Sequence, residues 1–252
     1  MRRIMICVAY DGTDFHGWQL QPNARTVEGE LNKAISELLG EGVQVIGASR
    51  TDAGVHAMGN LAVFDTQSSI PAEKFAYALN CKLPSDVKVQ KSVEVANDFH
   101  PRKCSSVKTY EYHIDCGEFP MPVYNRFAYY TYHTPDVERM REAAKYIVGE
   151  HDFKSFCSVH TQAETTVRTV YSVDVEQNGR EIVIRVKGNG FLYNMVRIIA
   201  GTLLEAGTGK YEPSKVGWMI EQCDRTVAGP TLPPEGLRLC GIEIKNNIVS
   251  VM

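Results

Sequence analysis

The order in which hydrophobic periods follow one another constrains this chain more than any single motif. Residues 3 to 10 (RIMICVAY) form a short apolar run that stops at DGTD, and a run of that length bounded by turn residues reads as a strand. Thr26 then precedes VEGELNKAISELL, where Val27, Leu31, Ala34, Ile35 and Leu38 recur at helical spacing, behind a side chain suited to cap the first turn. VQVIGA (43 to 48) and NLAVFDT (60 to 66) read as two strands, and PAEKFAYALNCKL, from Pro71, as a helix with proline in its first turn. Val87 and Val89, then Val93 and Val95, keep a period of two with one slip that suggests a bulge. The first hundred residues are thus β-α-β-β-α-β, the ferredoxin-like order.

The remainder repeats that order with longer connections. KTYEYHI (108 to 114) and RFAYYTY (126 to 132) precede a helix in which Val137, Met140, Ala144 and Ile147 share a face. Strands over 168 to 176 and 181 to 187 meet through Asn178-Gly179, a strong hairpin signal. A helix from Phe191 to Ala206, a shorter one over 213 to 222 and a last strand, LRLCGIEI, follow. The junction NDFHPRKCSS is no flexible linker. The expected fold is therefore α+β: two ferredoxin-like halves, residues 1 to 102 and 103 to 252, sharing a largely antiparallel sheet with helices on one face and a cleft between the halves.

Composition sets the chemical class. With 44% hydrophobic and 23% charged residues the chain is globular rather than disordered. MRRIMICVAYDG is too short for a signal segment or a membrane span, so a cytoplasmic protein with no membrane association is expected. Seven cysteines, scattered singly, fit reduced thiols better than a disulfide framework. Cys157 and His160, with His151 nearby, lack the second pair that a zinc site needs, so no metal is expected. Neither GxxxxGK[ST] nor GxGxxG occurs, so no nucleotide cofactor is expected. A net charge of −3 means that nucleic-acid binding would need a local basic surface, with candidates among Arg50, Arg102, Lys103, Lys108, Arg168, Arg185, Lys187 and Arg197.

GASRTDAGVHAMGN, between two predicted strands, is longer than a hairpin requires. Arg50 and Asp52, two apart, point the same way in extended backbone, and an arginine beside an aspartate keeps it ionised. The same residues also suit a structural ion pair, with His56 bonding loop backbone and Asp52 capping a turn. Tyr110 and Tyr112 alternate with Glu111 and His113, which places both phenols either in the core or beneath a stacked base. Arg197, inside the apolar segment FLYNMVRIIAGTLLEAG, needs a partner, and Asp52 is one candidate.

Six segments, YDGTDFHGWQLQ, SRTDAGVHAMGN, FHPRKCSSVKTYEYHI, HDFKSFCS, NGFLYNMVRIIAGTLLEAG and EGLRLCGIEI, resemble in order those of the bacterial tRNA pseudouridine synthase TruA family. The resemblance covers nearly the whole chain. It implies a cofactor-free isomerase that turns uridine into pseudouridine in the anticodon stem-loop of tRNA and works as a homodimer with basic clefts. On this basis Asp52 is the catalytic carboxylate, Tyr110 stacks on the target base and assists proton transfer, and Arg197 pairs with Asp52. Arg50 holds the flipped nucleotide, and His56 and Arg102 join Arg50 and Tyr110 as substrate-binding candidates. Lys108-Thr109 replace arginines common in relatives, and Leu192-Tyr193 replace more polar residues, departures that bear on RNA contact rather than chemistry. The alternative from another class is an RNA-binding module or chaperone without chemistry. A glycoside or nucleoside hydrolase would want a second paired carboxylate, which the motif does not offer.

Overall fold

The computed structural model describes residues 1–159, 161 and 163–244, so His160 lies outside the described residues. Its architecture is α+β with mostly antiparallel strands. The chain divides into two compact units, Met1–Ser106 with Leu239–Met252, and Val107–Arg238.

In the first unit β1 (Arg2–Tyr10) leads into α1 (Val27–Leu39), β2 (Ile46–Gly47), β3 (His56–Thr66), α2 (Phe75–Asn80) and β4 (Val87–Val95). The sheet order is β4-β1-β3 with β2 on the far side of β3, and these strands pair antiparallel, which is the ferredoxin-like order that the periodicity predicts. β1 lies between two other strands, which pair with both of its edges, and its Ile4, Met5, Ile6, Cys7 and Val8 form an unbroken buried run. Helix α1 begins as expected: Thr26 accepts a hydrogen bond from the Gly29 amide, and Gly40 closes the helix in the left-handed region at φ 72°.

Two strand boundaries move, each for a visible reason, and α2 keeps only Phe75–Asn80 of the helix expected from Pro71. β2 keeps only two of the six residues expected, because the amides of Val43 and Val45 donate to the side chains of Ser36 (2.9 Å) and Asn32 (2.8 Å) on α1 instead of to a strand. β3 starts at His56 rather than Asn60, extended by its pairing with the end of β1 at Tyr10↔Ala57. The slip of period in β4 is a real irregularity: the register jumps between Cys7 and Val8, and Asn80 grips Val89 there through both its amide oxygen and nitrogen.

The second unit opens with β5 (Ser106–Cys116), followed by β6 (Tyr129–Thr131), α3 (Val137–Lys145), β7 (Gly149–Asp152), β8 (Val167–Asn178), β9 (Glu181–Gly188), α4 (Met195–Gly207) and α5 (Lys215–Glu221). Strands β5, β9, β8 and β7 are neighbours in that order, with β6 parallel to the end of β5. β7 is not legible in the sequence: its four residues, GEHD, carry no alternation. The β8–β9 hairpin turns where expected, with Gly179 at φ 60°. α4 starts at Met195, four residues later than its apolar pattern suggests, because Asn194 takes a left-handed conformation at φ 62°. A last strand, β10 (Leu237–Ile244), spans the division between the units.

α4 is buried all round except at Arg197 and Glu205. Its packing is close enough to dictate residue type: a side chain at Gly201 would put Cβ 2.1 Å from the Pro230 carbonyl oxygen. The other face of β5 carries a charge cluster. Glu111, 7% exposed, accepts from Arg185 (2.9 Å), from Arg238 (2.6 Å) and from His113 (3.1 Å), while His113 also meets Glu181 at 2.8 Å. Burial alone would raise the Glu111 pKa, but the bonds from Arg238, Arg185 and His113 outweigh it and hold the carboxyl at about 2 against an ordinary 4.5. The stability this charge contributes is complete above pH 4.5 and is lost as pH falls toward 2. Glu111→Gln is expected to be less stable than the parent protein at neutral pH, and the gap between their denaturant midpoints should close as pH drops through that range.

Candidate active site

Asp52 lies in the loop 48–55 between β2 and β3. Backbone bonds hold this loop. The Trp18 amide donates to the Thr51 carbonyl (3.0 Å), the Gly54 amide to the Phe15 carbonyl (3.2 Å), and the Val55 amide to the Asp52 carbonyl (3.1 Å), which closes a turn. The Thr51 and Tyr10 hydroxyls stand 2.7 Å apart, and Asn60 donates to the Ser49 carbonyl at 2.9 Å. Thr51 is buried while Arg50 is exposed and Asp52 half-buried, so the alternation read from the sequence survives in the loop.

The partner of this loop is the segment after β1, DGTDFHGW. Two of its positions admit only glycine. A Cβ at Gly12 would lie 2.1 Å from the Val55 carbonyl oxygen, and one at Gly17, where φ is 87°, would lie 2.7 Å from that of Thr51. Gly47, at the entrance to the loop, packs its missing side chain's space against the buried Trp18 ring. The segment is itself anchored to α1: the amides of Val27 and Glu28 donate to the carbonyls of Gly17 (3.3 Å) and Trp18 (3.0 Å). Arg25 completes the anchor, lying 4.2 Å over the Phe15 ring and pairing with Asp86 (2.7 Å) and Glu30 (2.8 Å).

His56 opens β3 and is buried; its Nδ1 accepts the Gly12 amide at 2.9 Å and lies 3.2 Å from the Asp11 carboxylate. A nitrogen that accepts an amide proton carries none of its own, so Asp11 is a charged neighbour of Nδ1 rather than its acceptor. The backbone partner of His56 is thus Gly12, in the segment after β1, rather than its own loop as the sequence suggested. Arg102 donates through Nε to the Gly47 carbonyl at 2.7 Å, tying the HPRK turn to the start of the Asp52 loop. Burial, and then the like charge of Arg50, lower its pKa from the ordinary arginine value. Arg50 and Arg102 are therefore near enough to feel one another, one cation on the loop that carries Asp52 and the other bonded to its start.

In the second unit Tyr110 and Tyr112 occupy one face of β5, as their spacing predicts. Tyr112 is fully buried and donates to the Pro233 carbonyl at 2.8 Å; burial drives its pKa far up, so it is a core residue. Tyr110, 6% exposed, sets its ring edge-on to Phe191 at 5.3 Å. Arg197 donates through Nε to the Leu232 carbonyl (2.6 Å) and through Nη1 to the Asn194 side-chain oxygen (2.7 Å). These bonds within its own unit supply the partners that a cation in so apolar a helix requires. Of the other basic candidates, Arg185 is taken up by Glu111 and Glu176, and Arg168 donates to the carbonyls of Thr165 and Val167.

Among the described residues no group of three or more His, Cys, Asp or Glu side chains could hold a metal ion. Among the described residues no helix is long and apolar enough to cross a membrane. The seven thiols are unpaired by disulfides, and burial pushes those of Cys7 and Cys116 up to about 11, which leaves them protonated.

A family model described as tRNA pseudouridine synthase matches residues 6–102 and 143–243. This chain belongs to that family. It is 46% identical to tRNA pseudouridine synthase A of Caldicellulosiruptor bescii over 96% of this chain and 99% of that one. The Brevibacillus brevis protein of the same name is 47% identical over 95% of this chain and 98% of that one, and that of Anoxybacillus flavithermus 46% over 98% and 100%. A solved structure titled for the archaeal box H/ACA sRNP Nop10-Cbf5 complex contains a chain 12% identical, covering 94% of this chain and 46% of that one, with a TM-score of 0.33, too low a likeness to bear on the fold.

The pseudouridine synthase match takes in Arg50, Asp52, His56, Arg102 and Arg197, whereas Tyr110 falls between its two stretches. The sequence reading missed the clasp of Gly12, Gly17, Trp18 and Thr51. Its only signal was a turn carrying two glycines around aromatic residues. It also missed Asn194, whose one clue is that asparagine tolerates left-handed backbone. Gly17→Ala combines a strained φ with a clash against the Asp52 loop and should cost about 1 to 3 kcal/mol of stability, read as a lower urea midpoint. Gly40→Ala, with φ 72° but no atom within 4 Å of the added Cβ, isolates the backbone component and should cost less.

Proposed function

We propose that this protein converts uridine to pseudouridine in the anticodon stem-loop of tRNA, with Asp52 as its nucleophile. The observation that carries the reading is a half-buried carboxylate on a loop fixed by backbone bonds, beside Arg50 and Arg102, in a chain of the pseudouridine synthase family. Such a loop lets a charged group meet substrate without the reorganisation a free loop would need.

The reaction is an isomerisation, so atoms and electrons balance without a co-reactant. The N1–C1′ bond breaks, the uracil turns over, a C5–C1′ bond forms, and the proton leaving C5 is balanced by one taken up at N1. Asp52 attacks ribose or base, stabilising the positive character that develops at C1′, and the bond it makes is broken again before the product leaves, so that the carboxylate is regenerated. A base in a stem must first leave the stack; Arg50 holds the displaced nucleotide, Tyr110 offers its ring to the base and assists the C5 proton transfer, and Arg197 pairs with Asp52. His56 sets the start of β3 and Arg102 adds positive charge for the backbone phosphates. The protein acts in the cytoplasm as a homodimer in this reading.

The test is tritium release from tRNA labelled at uridine C5. The parent protein is expected to release label in step with pseudouridine formation, and Asp52→Ala and Asp52→Asn to release none while binding tRNA with nearly unchanged affinity. Full release by Asp52→Ala would remove Asp52 from the chemistry. Binding without release by the parent protein would make the chain an RNA-binding module instead.

A further inference from the structure

Arg197 is one of two residues of α4 that are not buried, and the groups that orient it come from three separate segments. Its Nε donates to the Leu232 carbonyl at 2.6 Å, and the Leu232 amide returns a bond to the Arg197 carbonyl at 3.4 Å. Its Nη1 donates to Asn194 Oδ1 at 2.7 Å. Asn194 holds that oxygen in place with the other end of the same amide, because its Nδ2 donates to Ser158 Oγ at 2.8 Å. The Ser158 amide in turn donates to the Tyr193 carbonyl at 3.1 Å, which fixes Ser158 beside the start of α4.

Asn194 is an unusual residue for its position. It precedes α4 at φ 62° and ψ 6°, a left-handed conformation that disfavours most side chains, and its side chain makes no capping bond to the helix. An asparagine that neither caps its helix nor has the easiest backbone for its position has its side chain committed elsewhere, on Ser158 and Arg197. The planar amide spans the two partners with a donor at one end and an acceptor at the other. Bonds to Nε and Nη1 fix the plane of a guanidinium, and with it the direction in which Nη2 faces.

We infer that Asn194 is a positioning residue for the isomerisation: clamped by Ser158, its amide oxygen sets the guanidinium plane of Arg197. This rests on the reading of Arg197 as the partner of the reacting carboxylate. Glycine at position 194 keeps the left-handed backbone at no steric cost while removing both side-chain bonds, so it separates positioning from folding. Aspartate keeps an acceptor for Arg197 but has no donor for Ser158.

The experiment measures kcat, KM for unmodified tRNA, and thermal midpoint for Asn194→Gly, Asn194→Asp, Arg197→Ala and the Asn194→Gly/Arg197→Ala double variant. Asn194→Gly should lower kcat by roughly tenfold to a hundredfold, the cost of a misdirected group in a preorganised site, with KM and midpoint close to those of the parent. Asn194→Asp should recover most of that kcat, and the double variant should be no slower than Arg197→Ala alone. Parent-like kcat in Asn194→Gly beside a slow Arg197→Ala would overturn the inference and leave the role of Arg197 standing. So would a double variant slower than Arg197→Ala by the full Asn194→Gly factor, because Asn194 would then act independently of Arg197. Parent-like kcat in Arg197→Ala would instead remove Arg197 from the reaction, and the inference with it.

Discussion

The contact between two backbones, that of DGTDFHGW and that of the Asp52 loop, is the constraint on which the placement of Asp52 depends. A carboxylate that reacts must be reachable and must also stay where it is, and a loop between strands ordinarily satisfies only the first need. Here the Trp18 and Gly54 amide bonds tie the loop to a segment that is anchored in turn to α1 and, through Arg25 and Asp86, to the start of β4. The approach is so close that Gly12 and Gly17 have no room for a side chain. The burial of Thr51 turns that closeness into direction, leaving its two neighbours on the solvent side.

The arrangement of charge follows a different logic in the second unit. There Glu111 draws in Arg185, Arg238 and His113, and Asp115 draws in Arg180. These cations are neutralised by buried carboxylates and serve the fold. Arg50 and Arg102 instead stand close enough to repel one another. A net charge of −3 averages over both situations and describes neither.

Much of this was legible in the chain itself. The β-α-β-β-α-β order of the first unit, the Thr26 cap, the bulge in β4, the hairpin at Gly179 and the single odd cation of α4 follow from local periodicity and turn chemistry, which depend on neighbours a few residues away. Three of the places where reading and structure part share one cause. β2 is shortened by Ser36 and Asn32, β3 is lengthened by pairing with Tyr10, and α4 is delayed by an asparagine bonded to Ser158. In each case a group outside the element competes for a backbone or side-chain bond that local propensity would assign elsewhere.

By itself, then, the sequence determined the order of elements apart from β7, the resemblance to the family, and the presence of an Arg-Thr-Asp loop between two strands. Tertiary structure decided what holds that loop and what holds Arg197. It made His56 an acceptor for the Gly12 amide and gave Arg102 a bond to the Gly47 carbonyl, and it supplied Arg197 with a carbonyl 35 residues away. The physical reason is that periodicity records which face of an element meets the core. A hydrogen bond, by contrast, depends on which carbonyl or amide lies within 3 Å across a contact, and only the folded chain brings those groups together.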